Sequence, residues 1–242
     1  MSIAFGTPRS WLEPTGQLDL SHPKIHITAQ KLTQARQSLP ARAAALHDFV
    51  RRLPFGAQAD AAALSASEVL RAGRGDCHSK GLLFVALCRA AGIPARLQFV
   101  RVRTRFLHGI LDDGPDTMPH AVGQVLLGGR WVSTDGYVVD PVLFVRARER
   151  LEAGGLDCGW GIVRDAEAGW LGSADCLQQF RPADVAHHYG AYHDVAEFYD
   201  ERSQDDGSPS WLARLKYAVG ASLVNRRVQQ LRAQPVAEAV AA

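Results

Sequence analysis

Apolar residues along the chain recur first at a helical and then at a strand period. Ala43, Leu46, Val50 and Leu53 follow one another at three- and four-residue steps, the spacing that lines one helix face. Pro54 and Gly56 stop the run, so the pattern predicts a helix over residues 28–53. Pro14, Gly16 and Pro23 break up the preceding segment, and residues 1–27 read as irregular. Ser65 and Glu68 stand at the spacing of a capping box and open a short helix that Gly73 ends. Behind Asp76, a good N-cap residue, Leu82, Leu83, Val85, Ala86, Leu87 and Ala90 are apolar nearly all round. That helix is expected to be central and buried, and Gly92 and Pro94 close it.

The period then changes to two. Leu97, Phe99, Val100 and Val102 alternate with Gln98, Arg101 and Arg103, which predicts a strand over LQFVRVRTRF. A polar loop leads to a second strand from His120 to Leu127. Gly128-Gly129 is a two-residue hairpin turn, and a third strand runs from Arg130 to about Val139, closed by Asp140-Pro141. After Phe144 the pattern weakens. It returns over residues 209–233, where Trp211, Leu215, Val219, Leu223 and Leu231 lie on or near one helical stripe. Arg214, Lys216, Arg226, Arg227 and Arg232 make this helix basic, and packing onto the rest of the domain is the expectation.

Composition narrows the class. The 242 residues include 27 Lys and Arg against 25 Asp and Glu, a balance of +2 that calls for no nucleic-acid partner. No apolar run reaches about 18 residues, so no membrane insertion is expected. The start, MSIAFGTPRSWLEP, shows no secretory pattern, and a cytoplasmic protein is expected. Cys77, Cys88, Cys158 and Cys176 form no CxxC pair and read as free thiols.

One thiol stands in a chemically suggestive place. Cys77 follows the predicted N-cap, where the helix dipole and free N–H groups stabilise a thiolate. If Gly128 and Gly129 form the turn, Leu127 lies opposite Arg130, Leu126 opposite Trp131 and Val122 opposite Asp135. His120 shares a face with Val122, so Asp135 is one diagonal step from it and within reach of the imidazole. A nucleophile, a base and a group to orient that base are what thiol catalysis requires.

Residues 66–140 resemble the transglutaminase-like superfamily. The resemblance is carried by ASEVLRAGRGDC, KGLLFVALCRAAGIPAR, PHAVGQVLL and GGRWVSTDGYVVDP. It implies an α+β, papain-like core, with a central Cys-bearing helix packed on an antiparallel sheet and a mostly helical C-terminal extension. The expected division is 1–27 irregular, 28–145 catalytic core and 146–242 an extension within the same globular unit. The implied catalytic residues are Cys77, His120 and Asp135. The implied reaction is acyl transfer from a peptide or small-molecule amide or thioester through a thioester acyl-enzyme, with amide hydrolysis favoured over transfer to an amine. No cofactor and no metal are expected. The alternatives are a biosynthetic amide-forming acyltransferase and a non-catalytic binding module on the same fold. An arylamine acetyltransferase would need a coenzyme A site, and the chain has no Gly-rich phosphate cradle.

The remaining candidates read more plainly. Cys88 lies about 16 Å along the helix from Cys77 and is expected to pack. His78 should point about 100° away from Cys77, toward the helix surface or the rim of the site. His108 could replace His120 as base, but register places no carboxylate beside it. Arg101, Arg103 and Arg105 read as solvated charges on an edge strand, with an anion clamp as the alternative. Cys158, Cys176, His187, His188 and His193 match no zinc spacing and read as buried thiols and exposed loop imidazoles. Trp160 and Trp170 are core or lid residues. The second oxyanion donor, beside the Cys77 N–H, is one of Gln30, Gln34, Gln58 and Trp11.

Overall fold

The computed structural model describes residues 9–58, 63–206 and 210–233, with no side chains for 204–206 and 210–220. Two helices replace the single one predicted over 28–53: α1 spans Pro23–Thr33 and α2 spans Leu39–Arg52. Pro23 starts a helix rather than breaking one. It occupies the first turn, where its missing N–H costs nothing, and His22 Nδ1 accepts the Lys24 N–H at 3.2 Å. Ser38 caps α2 by accepting the Ala41 N–H. Helix α3, Ala66–Ala72, has the predicted box. Ser65 accepts the Glu68 N–H, Glu68 accepts the Ser65 N–H, and Gly73 ends the helix at φ +64°.

Helix α4, Cys77–Ala90, is buried from His78 to Arg89. It packs on strands β1, Ala95–Arg103, and β2, Thr117–Leu127, while α1, α2 and α3 pack against its remaining surface. Strand β3, Arg130–Thr134, follows the Gly128-Gly129 turn, where φ is +58° and +79°, as a type I′ hairpin requires. The register is the predicted one, Leu127 opposite Arg130 and Leu126 opposite Trp131. β3 stops at Thr134, short of the predicted end. The chain there meets the segment around Cys176: Thr134 bridges to Cys176, and the Asp135 N–H donates to the Cys176 carbonyl.

Beyond 144 the chain supplies more than helices. Asp140 and Pro141 open helix α5, Pro141–Ala153, instead of merely closing a strand. Two short strands follow, β4, Cys158–Gly159, and β5, Ile162–Val163. Strand β6, Val185–Tyr192, joins the main antiparallel sheet, whose order is β3-β2-β1-β6. β1 is thus an interior strand and not the expected edge. Arg101 is used inside the sheet region, its Nε donating to the Tyr189 hydroxyl at 2.7 Å. Helices α6, Val195–Asp206, and α7, Ser210–Ala233, complete the chain. Ala221, Val228 and Leu231 of α7 are buried, whereas Leu223 is 46% exposed and lies off the stripe. Arg226 and Arg227 face solvent. Trp211, Arg214, Leu215, Lys216 and Val219 fall outside the described side chains. Among the described residues no helix is long and apolar enough to cross a membrane.

A fully buried lysine ties these parts together. Lys80 Nζ donates to the carbonyls of Leu53 and Val138, each at 2.8 Å, and of Arg51 at 3.4 Å. It joins α2, α4 and the turn after β3, and burial lowers its pKa to about 7.

Candidate active site

The nucleophile candidate sits where the cap places it. Asp76 Oδ1 accepts the N–H groups of His78 and Ser79, each at 3.1 Å, and the Ser79 hydroxyl at 3.0 Å. The carboxylate therefore points into the cap. Cys77 is the first residue of α4 and half-buried. Its backbone N–H is one of the orphan donors of a helix start, and Asp76 takes those of the next two residues instead.

His120 and Asp135 meet across the hairpin. His120 Nε2 lies 3.4 Å from Asp135 Oδ2, and the two side chains are 1% and 0% exposed. The distance suits an ion pair, but the orientation is not that of a good hydrogen bond. Asp135 is itself held by backbone donors, the N–H of Gln178 at 2.6 Å to Oδ1 and that of Gln179 at 3.4 Å to Oδ2. Phe106 and Phe180 pack edge-on against the His120 ring. The thiolate of Cys77 and the Asp135 carboxylate outweigh burial and raise His120 to about 10. Burial alone would push the Cys77 thiol up. The imidazoles of His78 and His120 outweigh it and hold Cys77 at about 6.

His78 is the site residue that sequence reasoning misplaced. It is buried, not on the helix surface, and its Nδ1 lies 3.6 Å from Cys77 Sγ. Its Nε2 is 3.5 Å from the Tyr199 hydroxyl of α6. The signal was present, because a helix apolar on nearly every side leaves a histidine nowhere to point but inward. Tyr199, 121 positions away, carried no such signal.

The other candidates disperse. Gln30 and Gln34 are exposed. Trp11 packs on Arg89 near the far end of α4, about 18 Å from Cys77 along the helix. Gln58 stands beside the start of α4, its N–H 3.4 Å from Asp76 Oδ2 and its side chain donating to the Arg74 carbonyl. His108 does have a carboxylate, Asp112, at 2.9 Å, but both are exposed. They line a surface cavity of about 780 Å³ with Arg103, Arg105 and Cys158, and neither Cys77, His120 nor Asp135 lines it. Arg105 pairs there with Asp184. His187 and His188 are exposed on β6 rather than in a loop, and His193 stacks on Trp11 at 4.3 Å. Cys88 and Cys176 are buried, Cys158 half-buried. Trp170 packs on Phe84 and His47 in the core, and Trp160 stands against His108.

Comparison with known proteins agrees with this architecture. Residues 26–136 match the family model of the Transglutaminase-like superfamily. No curated protein matches the chain. A solved structure from Cytophaga hutchinsonii, described as a "putative cysteine protease", is 16% identical with a TM-score of 0.50. The match covers 79% of this chain and 49% of that one. A "putative protease" from Parabacteroides distasonis is also 16% identical, with a TM-score of 0.34 over 53% of this chain and 26% of that one. This chain therefore spans about half the length of the first structure and about a quarter of the second. The fold is α+β and transglutaminase-like over its helical and sheet core.

Proposed function

We propose that this protein is a cysteine-dependent acyl-transfer enzyme that hydrolyses a peptide or small-molecule amide. The observation that carries the reading is the half-buried Cys77, held at about 6 at the start of α4 beside His120, which is backed by Asp135. In this reading the Cys77 thiolate attacks the carbonyl carbon, and the Cys77 N–H receives the developing oxyanion. The C–S bond forms, the C–N bond breaks, and the His120 imidazolium gives its proton to the departing amine. Water then attacks the thioester, its proton passing to the His120 imidazole. Release of the acid restores the thiolate and imidazolium. Asp135, gripped by two backbone N–H groups, keeps the imidazole oriented and favours its charged form.

The test is a panel of activated amides and thioesters followed by intact-protein mass spectrometry. An acyl adduct confined to Cys77, turning over in water and absent from Cys77→Ser, supports the reading. Acyl transfer to an added amine in preference to water would replace hydrolysis by amide formation. No adduct on Cys77, with a thiol that titrates near 8.5 like an ordinary cysteine, would leave a binding module.

A further inference from the structure

The thiol of Cys77 faces two imidazoles, and the reaction written above uses one. His78 is 2% exposed and its ring is fixed on both sides, by Phe99 at 5.6 Å and Tyr199 at 5.8 Å between centroids. One ring nitrogen reaches the sulfur and the other reaches a phenol. A phenol at neutral pH carries a proton, and burial pushes that of Tyr199 up further. The Tyr199 O–H can donate to Nε2 only if Nε2 is unprotonated, which puts the ring proton on Nδ1. If the ring is instead cationic, Nε2–H donates to the phenol oxygen and Nδ1 is still protonated. The remaining neutral tautomer, with Nε2–H donating to the phenol oxygen, sets an Nδ1 lone pair against the sulfur, which a thiolate disfavours; in the other two states Nδ1–H points its donor at the sulfur.

We propose that His78 is a second catalytic residue at the Cys77 sulfur: its Nδ1–H donates to the thiolate, and the Tyr199 hydroxyl is the positioning group that fixes that tautomer. This inference rests on the acyl-transfer reading. Its consequence is that the sulfur has a donor besides His120 in the two states where it is an anion, before it attacks and again when the thioester breaks. When the thioester is hydrolysed, the sulfur leaves as an anion, and His78 is in place to receive it. The titratable groups around the pair are Asp76 at the cap, Cys77 itself, His120 from β2 and Tyr199 from α6. Arg202 and Tyr189 stand behind Tyr199.

The experiment is the pH profile of Cys77 alkylation by iodoacetamide, localised by mass spectrometry, on the full chain and on variants whose melting temperatures are measured alongside. In His120→Ala the midpoint is expected to rise but to stay below that of a free thiol. In His78→Leu it is expected to rise by about one pH unit, so that alkylation near pH 6 slows about fivefold. His78→Asn, whose side-chain N–H₂ replaces the Nδ1 donor, is expected to restore most of the rate. Tyr199→Phe should give a smaller shift in the same direction, and keeps the fold test independent of His78. The double variant His78→Leu/His120→Ala should titrate as a free thiol. A His78→Leu profile that overlays the wild type overturns the proposal, as does a His120→Ala profile that already matches a free thiol. A wild-type Cys77 that itself titrates near 8.5 overturns the acyl-transfer reading as well, so the two failures are told apart by which protein shows them.

Discussion

His47 shows what one buried titratable side chain does to the whole fold's response to acid. Its ring lies among Phe84, Tyr137 and Trp170, with Nε2 unpaired among the described residues. Burial, then the charges of Arg51 and Lys80, lower its pKa to about 3. The unfolded chain, with an ordinary histidine near 6.5, binds a proton that the folded chain refuses between those values. Stability is therefore fully present above 6.5 and falls as pH drops toward 3, by about 1.4 kcal/mol per pH unit from this group. Urea unfolding at pH 7 and pH 4.5 should show a smaller acid loss in His47→Leu than in the wild type; an equal loss in both would sink this assignment. At this scale the placement of Cys77 at a helix start and of His120 beside Asp135 was legible, because cap and hairpin register follow short-range rules. The carboxylate beside His108 was not, since Asp112 lies in a polar loop that has no period to read.

At the scale of elements, close packing sets the tolerances. α4 crosses β2 at Gly123, where an added Cβ would lie 2.8 Å from Phe84 Cδ1 and 3.0 Å from Tyr137 Cε1. Both rings are fully buried and have little room to move. Gly123→Ala is expected to cost about 1–3 kcal/mol in denaturant unfolding, the usual penalty of an overpacked core. A cost indistinguishable from zero would mean that the helix lifts from the sheet with ease. The capping box, the cap at Asp76 and the Gly-Gly turn were all readable, each being a local contest between a few backbone donors and acceptors. Two features were not. The early start of α1 depends on His22 acting as a cap and the break before α2 on Ser38 doing so, and a periodicity count passes over both. β1 looked like an edge because it carries arginines, but β6 pairs with it from residues 185–192, far outside any local window.

At the scale of the whole molecule, contacts join segments that lie far apart in the chain. Gln17 donates to the Leu64 carbonyl at 3.0 Å and accepts the Ala196 N–H at 2.7 Å, while its own carbonyl accepts the Ala66 N–H. One side chain thus joins the N-terminal segment, α3 and α6. Gln17→Ala is expected to lower the unfolding free energy by about 1–2 kcal/mol, because it removes the partner of the half-buried Leu64 carbonyl and of the half-buried Ala196 N–H. Thermal unfolding of the variant checks it, and an unchanged midpoint would refute the clamp. Such contacts were invisible in the sequence for the plain reason that nothing local predicts a partner 179 positions away.

The grip on Asp135 gives this long-range construction a temporal meaning. The N–H groups that hold the carboxylate belong to Gln178 and Gln179, and the phenol on His78 belongs to Tyr199, all beyond the stretch that matches the family. A chain emerging from the ribosome displays Cys77 long before it can display these partners. Domains complete their long-range contacts only once the residues that make them are free to fold. On the proposed reading, the cysteine has the reactivity of an ordinary thiol through that interval. On that reading the nascent chain is spared its own chemistry until residues 178–199 reach the fold.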